Sequence, residues 1–277
     1  MNRHELKQAF QSGRHVYGTL VASPSPKWAA ELPKAGLDFV FLDSEHIPMD
    51  PLTRSWMLRC YRAMGLAPIV RISSCVPQCA PQEAFQAVEH GAEGVVAPYM
   101  ETPEEVRALI GAVKYRPLKG ERLRGVLDGS APPTEREADY LRRYNDGNLV
   151  ILNIESRAAV DRLEDLLLPE VDAVFIGPHD LSINLGVPED YRHSLFLSCA
   201  ERVIRVCREK GVGVGCHASW DLSEQIRWAK QGMNIVIWHS DVGKFIGGIS
   251  ADFASVRAAL GEDTTGPQPA KEPEVTI

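Results

Sequence analysis

The sequence predicts an α/β fold, a (β/α)8 TIM barrel, and three observations carry that expectation. Eight short apolar runs alternate with helical segments over about 250 residues, the usual length of such a barrel. The runs are near-continuous Val, Ile, Leu and Phe, as parallel strands covered on both faces require. A doubly wound open sheet is the alternative, but it would usually carry a Gly-rich turn after its first strand, and none stands there.

A short charged helix over residues 3–11 leads in. Residues 17–22 are the first strand, and Ser25-Pro26 opens a helix that Gly36 closes, with Pro26 suited to the first helical turn. Residues 39–43, 68–71 and 94–98 are strands two to four. Thr102-Pro103-Glu104-Glu105 is a capping box with Pro at the first helical position. Val106, Leu109, Ile110 and Val113 follow as one apolar stripe. A polar excursion at about 115–148 interrupts the alternation, with a surface helix over 134–144, and such excursions in compact domains are usually functional. Strand five runs to Glu155, and a helix carrying Val160, Leu163 and Leu167 follows. Residues 173–176 are strand six, with a helix around 198–210 after it. Residues 213–216 are strand seven. Asp221-Leu-Ser-Glu224 reads as a second capping box, on a helix that groups Leu222, Ile226 and Ala229 and stops at Gly232. Residues 234–238 are strand eight, with a last helix near 253–260. The barrel is thus expected over 1–260. The Pro-, Glu- and Thr-rich tail at 261–277 buries little and is expected to be disordered.

A chain of 277 residues with 44% hydrophobic content can bury a large core, and its net charge of −7 argues against a nucleic-acid partner. No apolar run approaches the ~20 residues of a membrane span. The first residues lack the apolar core of a signal peptide, so a cytoplasmic location is expected. Cys60, Cys75, Cys79, Cys199, Cys207 and Cys216 lie scattered in apolar contexts without zinc-ligand spacing, which suggests reduced, mostly buried thiols.

Barrel strands open their C-terminal ends onto one mouth, where the active site sits. Those ends carry Asp43, Glu45 and His46 (strand two), Arg71 (three), Tyr99 (four), Glu155 (five) and Asp180 (six). His217 follows strand seven, and His239 with Asp241 follows strand eight. So many ionisable groups at one mouth indicate a site. Glu155 and Asp180 end adjacent strands, ~4.8 Å apart at the backbone. Two carboxylates that close repel unless a cation or a proton lies between them. Mg2+ suits such a pair, with waters and substrate oxygens completing the octahedron, and Mn2+ or Co2+ could take the same ligands. The competing reading has one acid capping its helix and the other pairing with an Arg. A divalent cation and two carboxylates sum to zero charge, so a 2-oxo acid bound there needs a further positive group. Arg71 offers a forked one, unless it serves only a structural salt bridge with Asp43 or Glu45. His46, just beyond a strand carrying two acids, suits a proton carrier near neutral pH.

These residues resemble the class II, metal-dependent pyruvate aldolases typified by hydroxyheptenedioate aldolase, in the citrate-lyase-beta-like superfamily. The resemblance runs from about Gly18 to Asp241. Its words are Phe41-Leu-Asp-Ser-Glu-His46, Ile69-Val-Arg71, Gly91-Ala-Glu-Gly-Val-Val-Ala-Pro98, Arg124-Gly125, Ile154-Glu155 and Phe175-Ile-Gly-Pro-His-Asp-Leu-Ser182. It implies a lyase that cleaves or forms a C–C bond of a 4-hydroxy-2-oxo acid through a metal-bound pyruvate enolate, giving pyruvate plus an aldehyde. It implies Glu155 and Asp180 as metal ligands, His46 assisted by Asp43 as acid/base, and Arg71 as stabiliser of the enolate. Gly177, Pro178, His179, Tyr99 and His239 join Arg71 as expected substrate contacts. A homo-oligomer, a hexamer or trimer with the mouth completed by a neighbouring chain, is implied as well. The chain departs from the family pattern at Ser44, Tyr99, Asn153, His179, His239 and residues 126–133, so the wall facing the aldehyde half is expected to be rebuilt around an intact metal core. Two rival readings stay open: another reaction on the same enolate (decarboxylation or condensation), and a non-catalytic barrel that binds a 2-oxo acid or metal.

Overall fold

The computed structural model describes residues 1–73, 76–217 and 219–262. Eight parallel strands close a barrel in chain order, with β8 paired back to β1. They are β1 (Val16–Leu20), β2 (Phe39–Asp43), β3 (Ala67–Arg71), β4 (Gly94–Ala97), β5 (Leu149–Ile154), β6 (Ala173–Ile176), β7 (Gly213–His217) and β8 (Ile235–Ser240). Every expected strand is present within two residues of its expected ends; β2 to β6 are buried throughout, as strands covered on both faces are, whereas β1 and β8 alternate buried with half-exposed or exposed residues.

Two cores result from the period of two. Phe39, Phe41, Ala67, Ile69, Leu149, Ile151, Ala173, Phe175, Ile235 and Ile237 fill the barrel interior. The alternate residues, such as Val40, Leu42, Val70, Val150 and Val174, form the layer beneath the helices. The lead helix α1 (Arg3–Ser12) begins with a capping box between Asn2 and Glu5. Its Leu6, Ala9 and Phe10 join the interior cluster beside the strand starts, so it plugs the end opposite the mouth.

Around the barrel lie α2 (Pro26–Glu31), α3 (Pro51–Ala63), α4 (Ala80–His90) and α5 (Pro103–Lys114). A 3-10 turn continues α2 to Gly36, whose φ of 75° ends it as expected. The capping box of α5 is formed, and Val106, Leu109, Ile110 and Val113 are buried. The excursion contains not one helix but two, α6 (Gly120–Leu127) and the expected α7 (Glu135–Tyr144). The helix expected after β5 is broken into α8 (Arg157–Asp161) and α9 (Leu163–Leu166), and β6 is followed by α10 (Pro178–Asn184) and α11 (Ser194–Glu209).

Two expectations fail near the C-terminus. In α12 (Leu222–Lys230), Asp221 caps Ser223 N, but Glu224 does not reach back; it pairs with Arg227 at 2.7 Å instead. Leu222, Ile226 and Ala229 do share one side of this helix, where they line a surface groove with Leu222 and Ile226 exposed. The last helix, α13 (Asp241–Leu260), starts well before residue 253, and of its residues only Asp241 is buried. Residues 263–277, most of the expected disordered tail, lie outside the described residues, as does Cys75. Cys199, Cys207 and Cys216 are buried thiols, Cys60 is half-buried, and Cys79 is exposed, against expectation. No helix among the described residues is long and apolar enough to cross a membrane.

Candidate active site

The alternation that fills the barrel also builds its mouth. Following Phe39 and Phe41 inward leads to Asp43, and following Ala67 and Ile69 leads to Arg71. The strand register sets Asp43 directly opposite Arg71. On β5 the same face continues through Asn153 to Glu155, and on β6 through Phe175 to Gly177.

Arg71 is the hub. Its Nε donates to Asp43 Oδ1 at 2.9 Å and its Nη2 to Oδ2 at 2.5 Å, a buried two-pronged pair. Nε also lies 3.2 Å from Glu45 Oε2, and Nη1 lies 3.9 Å from Glu155 Oε1. Burial opposes the guanidinium charge, but Asp43, Glu45 and Glu155 together raise its pKa above the ordinary value.

Glu155 is 1% exposed. Asn153 Nδ2 donates to its Oε1 at 2.5 Å and Tyr99 N to its Oε2 at 3.2 Å. Burial pushes its pKa up to about 8; Arg71 pulls it down, while Asp180 and Glu45 push it further up. Glu45 is pushed up to about 7, again chiefly by burial, and Arg71 opposes the shift. Asp180, in the first turn of α10, accepts a bond from the Tyr99 hydroxyl at 3.2 Å. Gly177 is a spacing requirement: a Cβ there would lie 2.5 Å from both Cγ and Oε1 of Glu155. A cavity of about 30 Å3 among Phe41, Arg71, Asn153, Gly177, Pro178 and His217 opens beside this cluster.

Asp43 spends both oxygens on Arg71, and Oδ1 also accepts from Glu45 N, so it steadies the guanidinium and the turn after β2. The carboxylate in ion-pair range of His46 is that of Glu45, at 3.9 Å, and not that of Asp43 as expected. The strand pleat stops at Asp43, so the turn decides which acid meets the imidazole. Burial, then Arg71, lowers the pKa of His46, which favours a neutral ring. Asp241 is a backbone cap, accepting from Ala22 N and Ser23 N at 3.0 Å each. His239 has a φ of 53°, packs edge-on against Trp238 and donates its backbone N–H to Ser219 Oγ at 2.9 Å. His179 stands 3.7 Å from Glu189. His217 ends β7 and lines the cavity near Phe41. Asn153, which the period of two already placed on the inner face, is the contact that site selection from sequence passed over.

Among the described residues no group of three or more His, Cys, Asp or Glu side chains is gathered as a metal cage. The oxygen donors that converge are Glu155 and Asp180, joined through Tyr99. Such a pair suits a hard cation that keeps several waters or substrate oxygens, rather than an all-protein zinc centre.

A closed parallel barrel with buried acids and one guanidinium at its mouth defines a TIM-barrel enzyme. The family model described as HpcH/HpaI aldolase/citrate lyase matches residues 17–247, and the chain belongs to that family. It is a carbon–carbon lyase of the aldolase type. It is 30% identical over 238 residues to a hydroxypyruvate/pyruvate aldolase of Roseovarius nubinhibens, spanning 86% of this chain and 90% of that one. It is 31% identical over 213 residues to a 4-hydroxy-2-oxo-heptane-1,7-dioate aldolase of Escherichia coli, covering 76% of this chain and 79% of the relative. The crystal structure of an HpcH/HpaI aldolase from Desulfitobacterium hafniense superposes with a TM-score of 0.76 at 25% identity, covering 91% of this chain and 96% of that one.

Proposed function

We propose that the chain cleaves or forms the C–C bond of a 4-hydroxy-2-oxo acid, with pyruvate and an aldehyde as the other side of the reaction, and that it needs a divalent cation. The observation that carries this reading is the cluster at the barrel mouth, where Arg71 stands 3.9 Å from Glu155, Tyr99 bonds both Glu155 and Asp180, and a cavity lined by Arg71 opens alongside. The names of the relatives, a hydroxypyruvate/pyruvate aldolase and a 4-hydroxy-2-oxo-heptane-1,7-dioate aldolase, support the substrate class.

Glu155 and Asp180 would hold the cation, Mg2+ first, with Mn2+ or Co2+ as equivalents. When bound it supplies Lewis-acid polarisation of the keto oxygen, so that C3 can carry the developing charge as an enolate. Arg71 has five N–H donors and commits two to Asp43, so its remaining donors serve the substrate carboxylate or enolate edge. Gly177 and Pro178 form the wall of the pyruvyl half beside Arg71. His46, neutral by virtue of its lowered pKa, takes the proton of the 4-hydroxyl in cleavage and returns it in condensation, with Glu45 balancing the imidazolium. His179, beside Asp180 at the start of α10, would border the aldehyde half.

The test is proton exchange at the pyruvate methyl group in D2O, followed by NMR with and without cation. Exchange is expected with Mg2+ or Mn2+ and none after chelation. No exchange with Mg2+, Mn2+ or Co2+ would move the assignment to a non-catalytic 2-oxo-acid barrel. A second expectation concerns spacing. Gly177→Ala should displace the Glu155 carboxylate and weaken Mn2+ binding by about 10–100-fold, the usual cost of disturbing a ligand's support. Calorimetry checks this, and wild-type affinity would mean that Glu155 is not a ligand.

We also propose a homo-oligomer in which the barrel unit of 1–260 is completed by a second copy. Phe245, Ile246, Phe253, Val256 and Leu260 of α13 are all more than half exposed. On the barrel wall at β8 and β1, grooves of about 450 and 510 Å3 are lined by Tyr17, Trp28, Leu222, Ile226, Val236 and Trp238. That wall is where an eighth barrel helix normally packs. Reciprocal exchange of α13 between two copies would cover both apolar surfaces, and a two-fold contact favours the hexamer over the trimer. Sedimentation should give an even-numbered oligomer that Phe245→Asp with Phe253→Asp dissociates. A wild-type monomer at micromolar concentration would rule out the exchange.

A further inference from the structure

We infer that Tyr99 is the positioning residue of the acid pair, binding Glu155 through its backbone and Asp180 through its phenol; this rests on the cation reading above.

Glu155 follows β5 and Asp180 follows β6. β4 pairs with β5 but has no pairing with β6. A group at the end of β4 therefore reaches Glu155 with its main chain, but needs a long side chain to reach Asp180. Tyr99 supplies both. Its φ of 52° lies in the left-handed region, which a bulky non-Gly residue rarely adopts. In that conformation its N–H lies 3.2 Å from Glu155 Oε2 and its hydroxyl 3.2 Å from Asp180 Oδ1. A carboxylate only accepts, so the phenol is the donor.

The two acids depend on Tyr99 unequally. Glu155 has a second support in Asn153 on its other oxygen, and the backbone N–H of residue 99 survives any side-chain change. For Asp180 the phenol is the one side-chain donor found among the described residues. The bond to Oδ1 fixes the orientation of the Asp180 carboxylate and leaves its other lone pairs for a cation. Tyr99 therefore fixes the ligand geometry through Asp180 and need not touch the reacting atoms.

The probe is Mn2+ on the full chain, with wild type, Tyr99→Phe and Asp180→Asn compared by calorimetry and by water-proton relaxation. Tyr99→Phe keeps the ring and removes only the donor. Its Mn2+ affinity should fall about 10–100-fold while its melting temperature in chelator stays that of wild type. Saturating Mn2+ should then restore pyruvate methyl exchange to near the wild-type rate, a recovery that a merely structural role would not show. Wild-type Mn2+ affinity in Tyr99→Phe, or a raised KM for substrate at unchanged Mn2+ affinity, would overturn the inference and place the phenol on the substrate. Wild-type protein that binds Mn2+ no better than Asp180→Asn would instead overturn the cation reading itself, and this inference with it.

Discussion

Glu155→Gln is expected to abolish divalent-cation binding and to reduce lyase turnover by about 10²–10³-fold, the scale on which losing one preorganised electrostatic contact is felt. The amide keeps the shape of the side chain but removes the charge that faces Asp180 and Arg71. Asp180→Asn should behave alike. Turnover and Mn2+ titration measured on the same samples check both, and unchanged affinity in either variant would remove that residue from the cation site.

The same substitution makes a second expectation with the opposite sign. The Glu155 carboxyl is raised from 4.5 to about 8, mainly by burial. Between those values the folded, cation-free chain keeps a proton that the unfolded chain releases. Stability in chelator therefore falls as pH rises from about 4.5 to about 8. Glu45, raised to about 7, adds to the fall below that pH. Gln carries no charge to bury, so Glu155→Gln in chelator should melt above wild type at pH 8 and level with it near pH 4. A cation would reverse the wild-type trend, because deprotonated Glu155 is the form that binds it. Denaturation across that pH range reads the slope directly, and parallel curves for the two proteins would mean that Glu155 is not held protonated.

The barrel was legible because most strands are continuous apolar runs and helices such as α5 and α7 announce themselves with local caps. The mouth was legible as a set of strand ends, since a period of two carries Asp43, Arg71 and Glu155 inward without any knowledge of the turns. What the sequence could not provide was the pairing within that set. Asp43 meets Arg71 because β2 and β3 are in register at those residues, whereas Glu45 and His46 meet in a turn with no period to follow. The left-handed backbone at Tyr99 and His239 has no glycine to announce it. Helix α13 was read too short because Gly243, Gly247 and Gly248 punctuate its first half. Its apolar face has no partner within the described chain against which a pattern could be judged.

Arg71 is expected to carry both stability and catalysis, and the two can be separated. Asp43 is fully buried at its side chain and its counter-charge is the Arg71 fork. Arg71→Met strands that carboxylate, and breaking a buried pair in this way costs about 3–5 kcal/mol. Removing the charge on Asp43 as well, in Arg71→Met with Asp43→Asn, should recover most of the loss, since the orphaned ion is then gone. Turnover should not recover, because no group remains to hold the substrate carboxylate or the enolate edge. Arg71→Lys tests the fork itself: it keeps a positive charge but cannot span both oxygens of Asp43 and still offer donors to the cavity, so its rate should fall about 10²–10³-fold. Chemical denaturation and turnover of the three variants form the measurement. Activity that tracks stability through the whole set, with wild-type turnover in Arg71→Lys, would reduce Arg71 to a structural salt bridge and leave the proposed enolate without its cationic partner.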